Sequence, residues 1–105
     1  MSERIDVKAL VGPACVAGSD GIKVKTQVEA AFTRGSTVVL DFSGVTTLTT
    51  SFLNQAVGAL REHASKADLE AKLSVSGLDK LDAQLYRLVM IGADRFYAGK
   101  DPRST

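Results

Sequence analysis

Five of the six residues Thr46-Thr47-Leu48-Thr49-Thr50-Ser51 carry a hydroxyl, and they stand just before a stretch with helical apolar spacing. Hydroxyls in that place do one of two things. A Thr or Ser oxygen accepts a hydrogen bond from an orphan backbone N–H and caps the helix, which stabilises it by about 1 kcal/mol. Alternatively, a phosphate on the hydroxyl adds roughly two negative charges and three acceptor oxygens and so works as a switch. Both readings stand for this segment. Asp41 closes the preceding apolar run. It is either a functional carboxylate at the C-terminal end of a strand, where open α/β sheets place ligands, or the acceptor that fixes the following turn. The turn is the preferred reading.

Elsewhere the chain offers little for covalent or acid–base chemistry. Cys15 is the only thiol and His63 the only imidazole, and they fall in different elements, so a Cys–His dyad is not expected. Cys15 reads as a small buried apolar residue. His63 reads as a side chain near a helix end, where the dipole favours a cation. Gly18-Ser19-Asp20-Gly21 precedes a helix, but Asp20 repels an anion and no Lys-Ser or Lys-Thr pair follows as in a phosphate loop. The expectation is no catalytic residue, no metal set and no cofactor.

The elements that position these residues alternate between strand and helix. Residues 5–10 alternate apolar and polar side chains, as a half-buried strand does. Ala14-Cys15-Val16-Ala17 is a second short strand or a loop. Ser19 or Asp20 is the expected cap of a helix carrying Ile22, Val24, Val28, Ala31 and Phe32, which Gly35 ends. Residues 37–42 form an almost continuous apolar run, the pattern of a strand buried on both faces. Thr49 as cap places Leu48 and Leu53 at the two staple positions of a helix running to about His63. Residues 65–70 read as a polar linker, and Leu73-Ser74-Val75-Ser76 as a strand stopped by Gly77. Asp79 caps a last helix with Leu81, Leu85, Leu88, Val89 and Phe96 facing inward, where Gly92 is a candidate bend. Helical crossovers between strands make the later strands parallel.

Val38 to Val45, followed by Thr46 to Leu53, resembles a STAS domain (sulfate transporter and anti-sigma antagonist). That family carries a buried strand ending in Asp, a polar loop, and Asp-Ser-Ser-Gly at the next helix start. Asp41-Phe42-Ser43-Gly44-Val45 with Ser51-Phe52-Leu53 is similar, more closely, to a bacterial STAS-like subfamily whose hallmark resembles Asp-Phe-x-Gly-Val followed by Ser-Phe. The likeness extends over most of the chain, but only this central block is specific. It implies an α/β fold with β(β)αβαβα order, a three-layer or two-layer mixed sheet, and a domain over residues 1–98 with a flexible tail at 99–105. It also implies a protein-interaction role like that of an anti-sigma factor antagonist, through Asp41, Ser43, Thr49, Thr50 and Ser51 in the 43–51 loop and the helix after it. The partner would be a GHKL-type ATP-binding kinase or an anti-sigma-like protein. Thr50 matches the family's phosphorylated serine, with Ser51 one step on. The flanking Asp and Gly are Thr49 and Phe52 here, which weakens the case for phosphorylation.

Bulk composition is that of an ordinary globular domain. The 105 residues suit one domain, and 45% hydrophobic with 24% charged residues is an ordinary globular balance. A net charge of +1 gives no electrostatic reason to expect nucleic acid or an anionic membrane. No secretory apolar run opens the chain and no stretch is long enough to span a bilayer, so a cytoplasmic location is expected. Two rival functions remain open. One is a small-ligand or nucleotide sensor with its pocket near Asp41 and Thr49. The other is a homo-oligomer, such as a homodimer, paired through the edge strand at residues 5–10.

Overall fold

The central strand Thr37–Asp41 alternates its side chains in depth: Val38 and Leu40 are buried, while Thr37 is exposed and Val39 and Asp41 are half-buried. It is the third strand, β3, of a computed structural model that describes residues 1–98. The tail expected at residues 99–105 lies outside the described residues. Around β3 pair β1 (Ser2–Asp6) and β5 (Leu73–Ser76), both parallel to it, in the order β1-β3-β5. A second, two-stranded parallel sheet joins β2 (Ala14–Cys15) to β4 (Thr47–Leu48). The parallel arrangement of the later strands expected from the sequence is therefore what forms.

The register explains why helices cover only one face of this sheet. Glu3, Val38 and Leu73 stand in one row, and Ile5, Leu40 and Val75 in the next row on the same face. The opposite face carries Arg4, Val39 and Ser74, then Asp6, Asp41 and Ser76. That face satisfies itself: Arg4 Nη1 donates to Asp41 Oδ2 at 3.1 Å and to Ser76 Oγ at 3.2 Å. The architecture is thus two layers. The both-face burial expected of residues 37–42 does not occur, because alternate positions look onto this polar face.

Five α-helices and one 3-10 helix make the other layer: α1 (Val7–Val11), α2 (Gly18–Thr33), α3 (Thr50–Ala56), the 3-10 helix Gly58–Glu62, α4 (Lys66–Lys72) and α5 (Lys80–Tyr97). A single core joins them, with Val24, Val28 and Ala31 of α2 and Phe52, Leu53 and Ala56 of α3 packed with Val38 and Leu40. The strand expected over residues 5–10 stops at Asp6, because the Asp6 carboxylate accepts from the Ala9 N–H at 3.1 Å and starts α1. Helix α2 begins one residue before Ser19, with Ala17 in the cap position and no side-chain cap. Asp20 contributes instead as an acid in the first turn, where the dipole favours it. Gly35, with φ +81°, ends the helix as expected.

Three further expectations change. The helix expected to reach His63 breaks at Val57, and the 3-10 helix lets Gly58 approach α5 closely: a Cβ there would stand 3.5 Å from Val89 Cγ1. The polar linker over residues 65–70 is the start of α4, because Ser65 Oγ accepts from the Asp68 N–H at 3.2 Å. Helix α5 is capped by Asp79 as expected and runs through Gly92 unbroken, but it turns a different face inward. Val89 and Ala93 are buried, whereas Leu81, Leu88 and Phe96 are 75%, 62% and 63% exposed. The cause is its seat: α5 packs on α3 and the 3-10 helix, not on the sheet. A narrow support buries a narrow stripe. Among the described residues no helix is long and apolar enough to cross a membrane.

Candidate functional site

The hydroxyl-rich loop is held from behind by the chain between α1 and α2. Thr46 and Thr47 donate their backbone N–H groups to the Pro13 carbonyl at 2.8 and 3.4 Å, and Thr49 donates to the Cys15 carbonyl at 3.1 Å. Ala14 pairs with Thr47 and Cys15 with Leu48 across the β2–β4 ladder. Residues 13–16 therefore fix the path of the loop. They are functional scaffolding that sequence reading left as strand or loop, because two residues are too few to show a period.

Thr49 spends its hydroxyl on structure. Its Oγ1 accepts from the Phe52 N–H at 3.2 Å, the cap expected, and donates to the Val16 carbonyl at 2.8 Å. Leu48 packs on the core and Leu53 is fully buried, in line with the staple positions. Thr50 and Ser51 differ. Both are exposed in the first turn of α3, and neither hydroxyl has a hydrogen-bond partner among the described residues. Ser43, Thr46 and Thr47 are exposed beside them.

Asp41 is committed to the turn. Its Oδ1 accepts from the Ser43 N–H at 2.9 Å, and its Oδ2 takes the Arg4 guanidinium. Hydrogen bonds from Ser43, then the charge of Arg4, hold its carboxyl below the usual range. The turn that follows uses Gly44, at φ +82°, and the Lys8 side chain lies across it: a Cβ on Gly44 would meet Lys8 Cδ at 2.8 Å. Lys8 brings a cation to the loop that the sequence did not associate with it.

The site residues thus separate into two groups. Asp41, Ser43 and Thr49 build the loop, while Thr50 and Ser51 present hydroxyls from it. The helix face expected to extend the surface to His63 is small. Phe52, Leu53, Ala56, Val57 and Leu60 are buried, leaving Asn54 and Gln55 exposed beyond the first turn. Cys15 is fully buried and its thiol is pushed up to about 11, first by burial and then by Asp20. His63 stands in solvent beside Glu62 at 3.9 Å. No three of the described His, Cys, Asp and Glu residues converge as metal ligands would.

Residues 20–83, more than half of the chain, match the family model described as "STAS-like domain of unknown function (DUF4325)". The match spans α2, the hydroxyl loop, α3, α4, β5 and the start of α5. No curated protein and no solved structure matches the chain.

Proposed function

This chain belongs to the STAS-like domain family, and from that membership we propose that it is a non-catalytic protein-interaction domain docking through its 43–51 loop. The observation that supports this reading is the contrast within the loop. Its backbone is pinned to residues 13–16, Thr46 Oγ1 adds a bond to the Pro13 carbonyl at 3.3 Å, and the Ser43 side chain bonds Asp41. Yet Thr47, Thr50 and Ser51 are exposed, with hydroxyls unengaged among the described residues. A rigid loop with unengaged donors and acceptors loses little entropy on docking, which is the advantage of a preformed surface. The first turn of α3 and Lys8 extend that surface. The partner, following the resemblance to anti-sigma factor antagonists, is a GHKL-type ATP-binding kinase or an anti-sigma-like protein.

Phosphorylation of Thr50 or Ser51 is the control we attach to this reading. Both residues are exposed, and a phosphate there would add negative charge to the first turn of α3 without disturbing the Thr49 cap. Changing the charge of a docking surface is enough to release a partner.

The test uses purified chain immobilised against candidate kinases and anti-sigma-like proteins from the same genome. Binding is expected for the wild type and lost in Thr47→Arg/Thr50→Arg, two exposed positions whose change obstructs the loop but leaves its backbone anchors and the Thr46 and Thr49 side-chain bonds in place. Binding that survives this change sinks the docking surface, and absence of any such partner sinks the role. Intact-mass measurement of protein from its native cell reads the switch: one added phosphate, abolished by Thr50→Ala/Ser51→Ala, is the expected result. A sensor pocket at Asp41 and Thr49 has less support, since both polar groups are already engaged internally.

A further inference from the structure

Helix α5 leans on α3 and the 3-10 helix, and so stands away from the end of the sheet. The gap is a cleft of about 450 Å³ between α4 and α5, inside the roughly 300–1,000 Å³ range of small-molecule sites. Leu73 and Val75 of the edge strand β5 floor it, from the same sheet face that carries Val38 and Leu40. Leu69 of α4 and Ala83 and Met90 of α5 add apolar wall. The α5 residues that line it, Ala83, Tyr86, Arg87, Met90 and Asp94, follow i, i+3, i+4, i+7 and i+11, one continuous stripe of the helix.

The charges at the cleft do not cancel. Asp94 is taken by Arg61, whose Nε donates to Oδ1 at 2.8 Å while the Arg61 side chain is only 4% exposed. Glu70 sits 3.9 Å from Lys66, one turn away on the other wall. Arg87 has no ion pair or hydrogen bond among the described residues. Beside it, the Tyr86 phenol lines the same wall, with no hydrogen-bond partner among the described residues. Burial pushes its pKa up to about 12, so it keeps its proton and remains a donor at any physiological pH. The cleft therefore combines an apolar floor with a cation and a neutral O–H donor in excess of its acceptors.

We propose that this cleft binds a small apolar monocarboxylate, with the aliphatic or aromatic body on Leu73, Val75 and Met90 and the carboxylate at Arg87 and Tyr86. A guanidinium suits the carboxylate's two oxygens, and the apolar floor supplies the larger share of the burial. The site is separate from the 43–51 loop and does not depend on the role proposed for it.

The probe is octanoate, with hexanoate and neutral octanol as comparisons, titrated calorimetrically and by methyl NMR of Val75 and Met90. Saturable octanoate binding with shifts at both methyls is expected. Hexanoate should bind about tenfold more weakly, having lost two methylenes. Arg87→Glu, at an exposed position that leaves the fold in place, should weaken octanoate by about tenfold or more and leave octanol unchanged. Equal affinity for octanoate and octanol overturns the proposal, as does an Arg87→Glu variant that binds octanoate like the wild type. Dimerisation by light scattering that Ala83→Leu abolishes would also overturn it, since the occupant would then be a second copy. If Ala83→Leu fails to fold, the NMR shifts and the Arg87→Glu comparison still decide.

Discussion

Thr49 and Thr50 are neighbours with the same side chain, and the fold gives their hydroxyls opposite fates. Thr49 Oγ1 is saturated by Phe52 N–H and the Val16 carbonyl, whereas the Thr50 hydroxyl meets only solvent. Thr49→Ala should therefore cost about 1–2 kcal/mol in urea denaturation, while Thr50→Ala should stay within about 0.5 kcal/mol of wild type. Thr49→Ser should recover most of the loss, because it restores the oxygen. Equal costs at the two positions would show that the cap is not where this structure has it. Capping was readable in the sequence because it depends on three consecutive residues and a helix start. The second bond of Thr49 was not, since its acceptor lies thirty-three positions away. Cys15 makes a second contrast with its surroundings. Fully buried, with a thiol pushed up to about 11, it presents almost no thiolate at neutral pH, and the thiolate is the reactive form. A disulfide reagent should leave it unmodified in native protein and label it fully in denaturant. Rapid native labelling would mean that β2 opens readily.

At the scale of elements, α2 crosses α3 at close range. A Cβ on Gly21 would fall 2.5 Å from the Phe52 carbonyl oxygen and 3.0 Å from Ala56 N, and both are backbone atoms that cannot swing aside. Gly21→Ala should destabilise by about 3 kcal/mol, at the upper end of overpacking costs, although alanine is the better helix former in isolation. A stabilised Gly21→Ala variant in thermal or urea unfolding would show that the helices stand further apart. Sequence periodicity marks Ile22, Val24, Val28, Ala31 and Phe32 as the apolar stripe of α2, and all of these but Ile22, which is 50% exposed, turn to the core. Periodicity cannot show which helix the stripe meets, so Gly21 reads only as part of the stretch preceding the helix. The same limit explains α5. Its apolar residues surround most of the helix, and only knowledge that α3 and the 3-10 helix receive it selects Val89 and Ala93 over Leu81 and Leu88. The 3-10 helix that follows Val57 also meets α5, with Gly58 against Val89 and Ala93. The central strand and the loop chemistry, by contrast, were carried by one contiguous block, residues 38–53.

For the whole molecule, the notable economy is that β1 adds little apolar area: Ile5 is its half-buried apolar contact with the core, and Arg4 and Asp6 are exposed. Ionic groups compensate. Arg34 Nη2 meets Glu3 Oε1 at 2.7 Å and joins β1 to the end of α2, while Arg4 spans Asp41 and Ser76 across all three strands. The hydrogen bond from Arg34, then that from Ser36, pulls Glu3 from its ordinary 4.5 down to about 2, and Asp41 is lowered by Ser43 and Arg4. The sign of the consequence follows from proton counting. A carboxyl with a depressed native pKa binds fewer protons folded than unfolded, so its contribution is fully present above its ordinary pKa and lost as pH falls through the native value. Stability should therefore be flat near neutrality and decline between about 4.5 and about 2, the interval over which Glu3 titrates in the two states. Because Glu3 lies at the surface and salt screens it, the decline should be shallow and should deepen at low ionic strength. Denaturation midpoints at pH 7 and pH 3 measure it. Glu3→Gln should lower the midpoint slightly at pH 7 and reduce the difference between the two pH values. If Glu3→Gln leaves that acid difference unchanged, the Glu3–Arg34 pair is not what ties β1 to the end of α2.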